Sequence, residues 1–239
     1  TCSLLLLEKM LLNEYDKDEA MMDYYCSVGT TIHSHTQKWL GTCGRLFGDW
    51  KCPNQRCSAF VQHSIDYKCP KCQSLMDYCE VELEYDIFSG HVDSIFLQPN
   101  GRYIVVDYKS TSSRSVSERK FIPNAKHLIQ IAAYAAVLTK VHKLDIESVS
   151  ILYIARDNPQ QIAEFNLEYD EALHRHTVKF LKNQIKGFKA AERSKETGNL
   201  RLAQKYKLCQ SYDHYKDEVE KFSGFDGCPL SKVCFSEQA

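Results

Sequence analysis

Two aspartates and a lysine that lie close together in the sequence have the side chains needed for metal-assisted hydrolysis. Residues 90–110 read GHVDSIFLQPNGRYIVVDYKS, with Asp93 in the first apolar run and Asp107 and Lys109 in the second. Alternation along a strand would put Asp107 and Lys109 on one face while Tyr108 points away. Carboxylates bind Mg²⁺ or Mn²⁺, and a nearby lysine can orient and deprotonate a water or offset charge in the transition state. We therefore expect such a site to hydrolyse a phosphodiester.

The turn between the two runs predicts how the aspartates pair. Gly101 suits a three-residue hairpin turn whose last residue is left-handed. If Gln98 then faces Arg102, the numbers of facing residues sum to 200 and Asp93 lies opposite Asp107. Carboxylates roughly 5 Å apart repel each other unless a proton or a cation lies between them. A lone Asp-x-Lys is usually a solvated strand edge, but the second aspartate in register favours a metal site.

Helical and strand patterns mixed along the chain predict an α/β fold to position these groups. The strands and helices differ in their apolar periodicity, which is 2 residues in strands and 3.6 in helices. Besides the hairpin, we predict strands over 81–88 and 148–156, and helices over 4–41 (with a break near 27–29), 123–142 and 168–191.

Eleven cysteines without a secretory signal favour metal ligation over a disulfide framework. Four of them form two short-spaced pairs, Cys52-x4-Cys57 and Cys69-x2-Cys72, which suit tetrahedral Zn²⁺ with four thiolate ligands. The segment around them is polar and has few apolar residues, so it would need the ion to fold. We therefore predict an inserted zinc-ribbon module with a structural ion.

Four short stretches follow one another along the chain: Gly29-x-x-x-His33, Gly90-x-x-Asp93, Asp107-x-Lys109 and Gln130-x-x-x-Tyr134. In this order they resemble motifs of the RecB-like branch of the PD-(D/E)XK nucleases, which includes CRISPR-adaptation exonucleases and many phage exonucleases. Each is weak alone, but four in the family's order are fairly specific. The resemblance implies a mixed central sheet flanked by helices, with the zinc ribbon inserted and a cysteine-bearing tail at the C-terminus.

The resemblance also implies a role for each matched residue. Asp93 and Asp107 would hold Mg²⁺ or Mn²⁺, with the Tyr108 backbone carbonyl as a further ligand, and Lys109 would act on the attacking water. His33 would be a metal ligand, in one arrangement for a second ion. The alternative for His33 is a solvated position in the first turn of a helix.

Two further matched residues lie on the helix that follows the Asp-x-Lys strand. Gln130 and Tyr134 are four residues apart and so share a helix face. The resemblance implies that they position Lys109 and the DNA backbone. Packing on the helix surface is the alternative for both.

Many RecB-like relatives carry a structural [4Fe–4S] cluster held by one cysteine before the histidine motif and three near the C-terminus. Here Cys26 precedes His33, and Cys209, Cys228 and Cys234 lie near the end of the chain. The family's usual Cys-x2-Cys pair is missing from these three, so ordinary thiols or a second Zn²⁺ site remain alternatives. Cys2, Cys43 and Cys79 have no assigned role.

DNA contacts are predicted at clustered basic residues. Arg114, Arg119 and Lys120 follow the Asp-x-Lys strand in a serine-rich segment. Further basic residues recur at helical spacing and could neutralise phosphates from one helix face, although a solvated face explains them equally well. They are Arg175, Lys179, Lys182, Lys186 and Lys189.

Composition predicts a reducing compartment, and the chain patterns together with the resemblance imply four segments. The net charge of −1 predicts neither a nucleic-acid partner nor its absence. No apolar run could span a bilayer, and no signal-peptide layout is visible, so we expect a cytoplasmic protein (bacterial, or in the host cytoplasm if viral). The segments are 1–42, the N-terminal helical part of the nuclease domain; 43–79, the zinc ribbon; 80–193, the nuclease core; and 194–239, an extension that closes the cluster.

These patterns and the resemblance predict a metal-dependent DNA exonuclease. Its substrates would be single strands or DNA ends, in recombination, repair or replication, with recombination or replication proteins as partners and a phage or mobile element as a plausible source. A zinc-ribbon DNA-binding or scaffold subunit with an inactive core is one alternative. A structure-specific endonuclease on the same core is another.

Overall fold

The computed structural model of the chain describes residues 19–158 and 160–198. The chain divides into two compact units, one of which is Asp18–Val178, and the boundary falls within the last described helix. None of the described helices has the length and hydrophobicity needed to cross a bilayer.

A mixed sheet of seven strands forms the centre of the unit Asp18–Val178, which confirms the predicted α/β class. Its main path runs β2-β1-β6-β7-β8-β9, with β3 paired to β1. Only β7 and β8 are parallel, and the other neighbours are antiparallel. The strands are β1 (Leu46–Lys51), β2 (Phe60–Ser64), β3 (Asp77–Cys79), β6 (Ser94–Leu97), β7 (Tyr103–Thr111), β8 (Ile146–Ala155) and β9 (Ile162–Glu168).

The two parallel strands form the buried centre of this sheet. Val105 on β7 and Ile151 on β8 are fully buried, and β8 is buried along most of its length. A strand covered on both faces needs apolar residues at consecutive positions rather than in alternation. That requirement explains the continuous apolar runs in this part of the sequence.

Helices accompany the sheet. The helix Ala125–Val137 packs against β7 and β8, and the Asn124 side chain caps its N-terminus by accepting a hydrogen bond from the Lys126 N–H. A π-helical turn, Leu138–His142, continues it. In chain order the α-helices are α1 (Glu19–Leu40), α2 (Ser113–Arg119), α3 (Ala125–Val137) and α4 (Glu171–Thr197).

The expected break near residues 27–29 is wrong, because α1 is continuous through them. Glycine usually weakens a helix interior, but here it allows the helix to lie close to a strand. A Cβ atom added to Gly29 would lie 3.5 Å from the Ser110 side chain on β7. Tertiary packing against the sheet therefore outweighs the local propensity to break.

The hairpin between β6 and β7 has the predicted register. Gly101 has a φ of 82°, and the Gln98 N–H donates to the Arg102 carbonyl at 2.8 Å. The paired residues run from Ser94 opposite Val106 to Leu97 opposite Tyr103, so facing numbers sum to 200. The turn chemistry alone was enough to fix this pairing.

A second hairpin precedes it and forms a separate two-stranded sheet. The strands are β4 (Val81–Tyr85) and β5 (Phe88–Val92). The single strand predicted over 81–88 is therefore wrong, because the chain reverses at Asp86, whose φ is 56°. Aspartate tolerates this left-handed conformation better than most residues.

The cysteine-rich segment is joined to the central sheet by β1. One end of β1 pairs with β6, Leu46 opposite Phe96, and the other pairs with β2 and β3. Trp50 on β1 is buried, and its indole N–H donates to the Ser64 carbonyl at 2.9 Å. The segment thus has a small core of its own on a strand shared with the main sheet.

Candidate active site

The first aspartate lies where the two hairpins join, between β5 and β6. Asp93 is buried, and one of its carboxylate oxygens accepts a hydrogen bond from the Tyr108 backbone N–H at 2.7 Å. The other oxygen lies 3.5 Å from His33 Nδ1. Asp93 thus links β7 to α1, because His33 belongs to that helix.

The Asp-x-Lys motif forms an ion pair on β7. Lys109 Nζ donates to Asp107 Oδ1 at 3.0 Å and lies 2.9 Å from Oδ2. Oδ2 is buried and accepts no hydrogen bond of acceptable geometry, despite this short separation. The side chain of Asp107 is only 2% exposed. Tyr108 points to the opposite face, as predicted, where its hydroxyl donates to the Ser94 side chain at 2.7 Å.

Burial, more than any other effect, raises the pKa of Asp107 from 3.8 to about 6. The Lys109 ammonium opposes this shift, and the negative charge of Asp93 adds to it. The two aspartates therefore interact electrostatically across the hairpin. The pKa of Asp107 stays raised even with the Lys109 ammonium beside it, so holding both aspartates as carboxylates costs free energy unless a further cation is bound.

His33 is half-buried beside these groups. Burial lowers its pKa, but the hydrogen bond and the charge of Asp93, together with a hydrogen bond to the Tyr108 backbone, raise it above the ordinary value. The imidazole packs edge-on against the Tyr108 ring, with centroids 5.7 Å apart. Asp93 and the backbone of Tyr108 thus hold the ring in place.

Glu80 is a further member of this group that the sequence reasoning missed. Among the residues that the structure describes, His33, Glu80 and Asp93 each offer a ligand atom, all within 4.8 Å of one another. Gln37 orients two of them, donating to Glu80 at 2.8 Å and to the Asp93 carbonyl at 2.9 Å. Gln37 is four residues from His33 and so lies on the same face of α1.

A sequence signal for Glu80 did exist. In the β4–β5 hairpin, Val81 faces Val92, so facing numbers sum to 173. Extending the ladder by one residue puts Glu80 beside Asp93. The alternating pattern predicts one strand through Asp86, so the pairing becomes visible only when the turn there is recognised.

The predicted metal ligands therefore divide into two adjoining groups. His33 and Asp93 lie together with Glu80, while Asp107 is held by Lys109. The donor set of carboxylates and an imidazole suits a divalent ion. The buried Asp107 Oδ2, which accepts no hydrogen bond, would be satisfied by such an ion. The residues present therefore fit a metal.

The helix motif lies close to this site. Gln130 donates to the Tyr134 hydroxyl at 2.8 Å, which confirms that the two share a face of α3. Tyr134 packs over Gly90, where an added Cβ would lie 3.0 Å from the ring. Burial raises the pKa of Tyr134, with smaller effects of Asp107 and Lys109, so the hydroxyl is within electrostatic reach of that pair.

The four cysteines of the two short-spaced pairs converge. Cys52 and Cys72 Sγ are 3.5 Å apart, as are Cys57 and Cys69 Sγ, and all four lie within 4.8 Å of one another. Hydrogen bonds with Ser74 lower the pKa of Cys72 to about 6, which favours a thiolate. Four thiols at these separations could hold one metal ion.

Other predicted residues lie at the surface or outside the described part. Arg114 and Lys120 are exposed and Arg119 is half-buried. The exposed basic residues Arg175, Lys179, Lys182, Lys186 and Lys189 lie along α4. Of the predicted cluster ligands, Cys26 belongs to α1, and the other three lie outside the described residues.

Asp107→Asn is expected to stabilise the metal-free protein above pH 6. Because the folded chain binds the Asp107 proton more tightly than the unfolded chain does, the free energy of unfolding falls as the pH rises from about 4 to about 6. The variant has no proton to lose at this position, so its free energy of unfolding does not fall in this way. The resulting gain over the natural chain is at most about 3 kcal/mol. Thermal unfolding in EDTA from pH 4 to pH 8 measures the difference.

The matched control is Asp145→Asn, since Asp145 is an exposed carboxylate that pairs with Arg102. This variant should show no such pH-dependent gain. If the stability of Asp107→Asn relative to the natural chain did not rise between pH 4 and pH 8, the raised pKa would be refuted.

Comparison with known proteins adds the family. The chain matches the model of the PD-(D/E)XK nuclease superfamily over residues 20–235. Comparison with curated proteins found no match.

Solved structures give weaker similarities. The crystal structure of SSO0001 is 16% identical, with a TM-score of 0.37, over 74% of this chain and 69% of the other. The crystal structure of LHK-Exo in complex with dAMP is 12% identical, with a TM-score of 0.45, over 84% of both chains. Both TM-scores are too low to transfer fold or function. The family match covers most of the sequence, including all four motifs of the site, and the chain therefore belongs to the PD-(D/E)XK nuclease superfamily.

Proposed function

We propose that the chain is a metal-dependent deoxyribonuclease that acts as an exonuclease on single strands or DNA ends, in recombination, repair or replication. The observation that carries the proposal is the convergence of His33, Glu80 and Asp93 beside the buried Asp107–Lys109 ion pair. The family supports a nuclease. The preference for strand ends rests on the resemblance to RecB-like exonucleases.

The ion would be Mg²⁺ or Mn²⁺. Asp93, Asp107 and the Tyr108 backbone carbonyl would hold it, as the resemblance implies, and His33 and Glu80 are placed to hold the same ion or a second one. When bound, a divalent ion lowers the pKa of water and offsets negative charge on the phosphate. The proposal that Glu80 helps to bind the ion comes from the structure and was not predicted from the sequence.

The protein groups would supply orientation and charge. Lys109 is fixed by Asp107, so its ammonium is held in one place on β7. That ion pair favours offsetting the charge of the pentavalent phosphate over removing a proton from water. Gln37 holds Glu80 in position, and Tyr134 with Gln130 lies beside the pair. In-line attack by water would leave a 5′-phosphate.

We propose Zn²⁺ for the four-cysteine cluster. With Zn–S bonds of about 2.3 Å, tetrahedral thiolates lie about 3.8 Å apart, close to the 3.5 Å within each of the two Sγ pairs. An iron–sulfur cluster contains several atoms between its cysteines and would hold them further apart. A [4Fe–4S] cluster at Cys26, Cys209, Cys228 and Cys234 remains a separate proposal from the resemblance. Iron and sulfide analysis tests it.

Asp107→Ala and Lys109→Ala are expected to lower the cleavage rate by about 100-fold or more, because each removes charge or a ligand at the reacting phosphate. Glu80→Gln should lower it by about tenfold. Release of label from linear DNA in Mn²⁺ measures these rates, with EDTA as the blank.

Glu84→Gln is the matched control, because Glu84 is an exposed glutamate on β4, the strand that begins directly after Glu80. Near-normal cleavage by both the Asp107 and the Lys109 variants would contradict the assignment. If the natural chain bound DNA but did not cleave it, the inactive scaffold subunit would be favoured. Cleavage of covalently closed circular DNA would favour the endonuclease.

Cys69→Ala is expected to release the ion of the cysteine cluster and to lower Tm, because Cys69 is fully buried among the other three ligands. Metal analysis should find one zinc per chain in the natural protein and none in the variant. Cys79→Ala is the control, since Cys79 lies outside the cluster, and it should retain zinc. Retention of zinc by Cys69→Ala would refute the site.

A further inference from the structure

Two large apolar side chains lie in solvent shortly after the Asp-x-Lys strand. Phe121 and Ile122, between α2 and α3, are 76% and 73% exposed. A single exposed apolar residue is ordinary, whereas here two consecutive residues both expose large apolar side chains. We call these two residues the apolar pair.

The backbone of the apolar pair is fixed. The Phe121 and Ile122 N–H groups donate to the Glu118 carbonyl at 3.2 and 3.1 Å. Pro123, which follows, has a fixed φ, and Asn124 then caps α3. The two side chains are therefore presented to solvent from a defined position.

The apolar pair is connected to the Asp-x-Lys strand through the residues that follow it. The Asn124 N–H donates to the Tyr153 hydroxyl at 3.1 Å, and Tyr153 is the cross-strand neighbour of Lys109. Burial lowers the pKa of His127 to about 4, and the charges of Lys109 and Arg119 act in the same direction. The His127 imidazole is thus within electrostatic reach of both Lys109 and Arg119, and Arg119 lies just before the apolar pair.

The surroundings of the apolar pair are basic. Residues 113–127 include four basic side chains, at 114, 119, 120 and 126, and one acidic side chain, Glu118. Lys120 Nζ lies 5.9 Å from the centre of the Phe121 ring. By contrast, the exposed Phe60 lines a cavity of about 460 Å³ with Asp49, Glu80 and Glu82, whose charges would repel phosphates.

From this arrangement we propose that Phe121 and Ile122 contact unpaired nucleobases of a strand whose phosphates are neutralised by Arg119 and Lys120. A single DNA strand has apolar base faces and negatively charged phosphates. Any exposed base can stack on an aromatic ring, and neighbouring cations neutralise the phosphates, so apolar groups beside cations suit such a strand. In an intact duplex the base faces are covered by their neighbours. The inference rests on the proposed nuclease function and specifies single-stranded DNA or a frayed end as the substrate.

The test compares two strands of equal length, an oligothymidylate and an abasic oligonucleotide with the same phosphates. Binding of each is measured by fluorescence anisotropy in EDTA, so that no cleavage occurs. The double variant Phe121→Ala, Ile122→Ala should lose about tenfold in affinity for the oligothymidylate and bind the abasic strand unchanged. Phe121→Trp should retain the affinity, because it preserves an aromatic face.

Matched controls are Leu75→Ala and Val141→Ala, which remove exposed apolar side chains elsewhere. Both should bind the oligothymidylate as the natural chain does. Unchanged affinity of the double variant, or an equal loss for both strands, would overturn the inference. A fall in Tm would overturn it as well, because the pair would then be covered by protein.

The result also separates this inference from the nuclease proposal. If the natural chain degrades DNA in Mn²⁺ and the double variant binds the oligothymidylate normally, only the role of the apolar pair fails. If the natural chain neither degrades nor binds DNA, both fail.

Discussion

The site depends on one hydrogen bond, from the Tyr108 backbone N–H to the Asp93 carboxylate. It joins the residue directly before β6 to the second half of β7 and brings a second buried carboxylate close to Asp107. Burial of two such charges is costly unless a proton or a cation compensates them, and the raised pKa of Asp107 is the measure of that cost. A divalent ion would remove the cost, so the same constraint that strains the metal-free site favours metal binding.

Two hairpins converge on Asp93, and their predictability differed for a physical reason. The β6–β7 pairing followed from Pro-Asn-Gly, because few residues other than glycine occupy the third turn position comfortably. The β4–β5 turn at Asp86 carries no glycine or proline, so its alternating residues were taken for one strand and Glu80 was missed. Once the turn is known, Glu80 follows from the same arithmetic that placed Asp107.

Contacts between residues that are far apart in the sequence could not be predicted from sequence patterns. The spacing of the cysteine pairs predicted which four thiols meet, but the pairing of Leu46 with Phe96, which attaches the segment to the sheet, joins residues 50 positions apart and leaves no local signal. Likewise, Gly29 predicted a break in α1, because its contact with Ser110 depends on tertiary packing. The motifs in order indicated the fold, and the contacts between them required coordinates.

The cysteine segment and the candidate active site are mechanically connected. The strand β3 pairs with β1 of the cysteine segment, and Glu80 follows β3 directly before β4 begins. A small polar segment of this kind would depend on a bound ion to fold, so an ion at the four cysteines would also determine where β3 lies. Glu80 is held from the other side by Gln37 on α1. The position of one candidate ligand is therefore set jointly by the cysteine cluster and by the helix that carries His33, so the cysteine segment supports the site as well as stabilising itself.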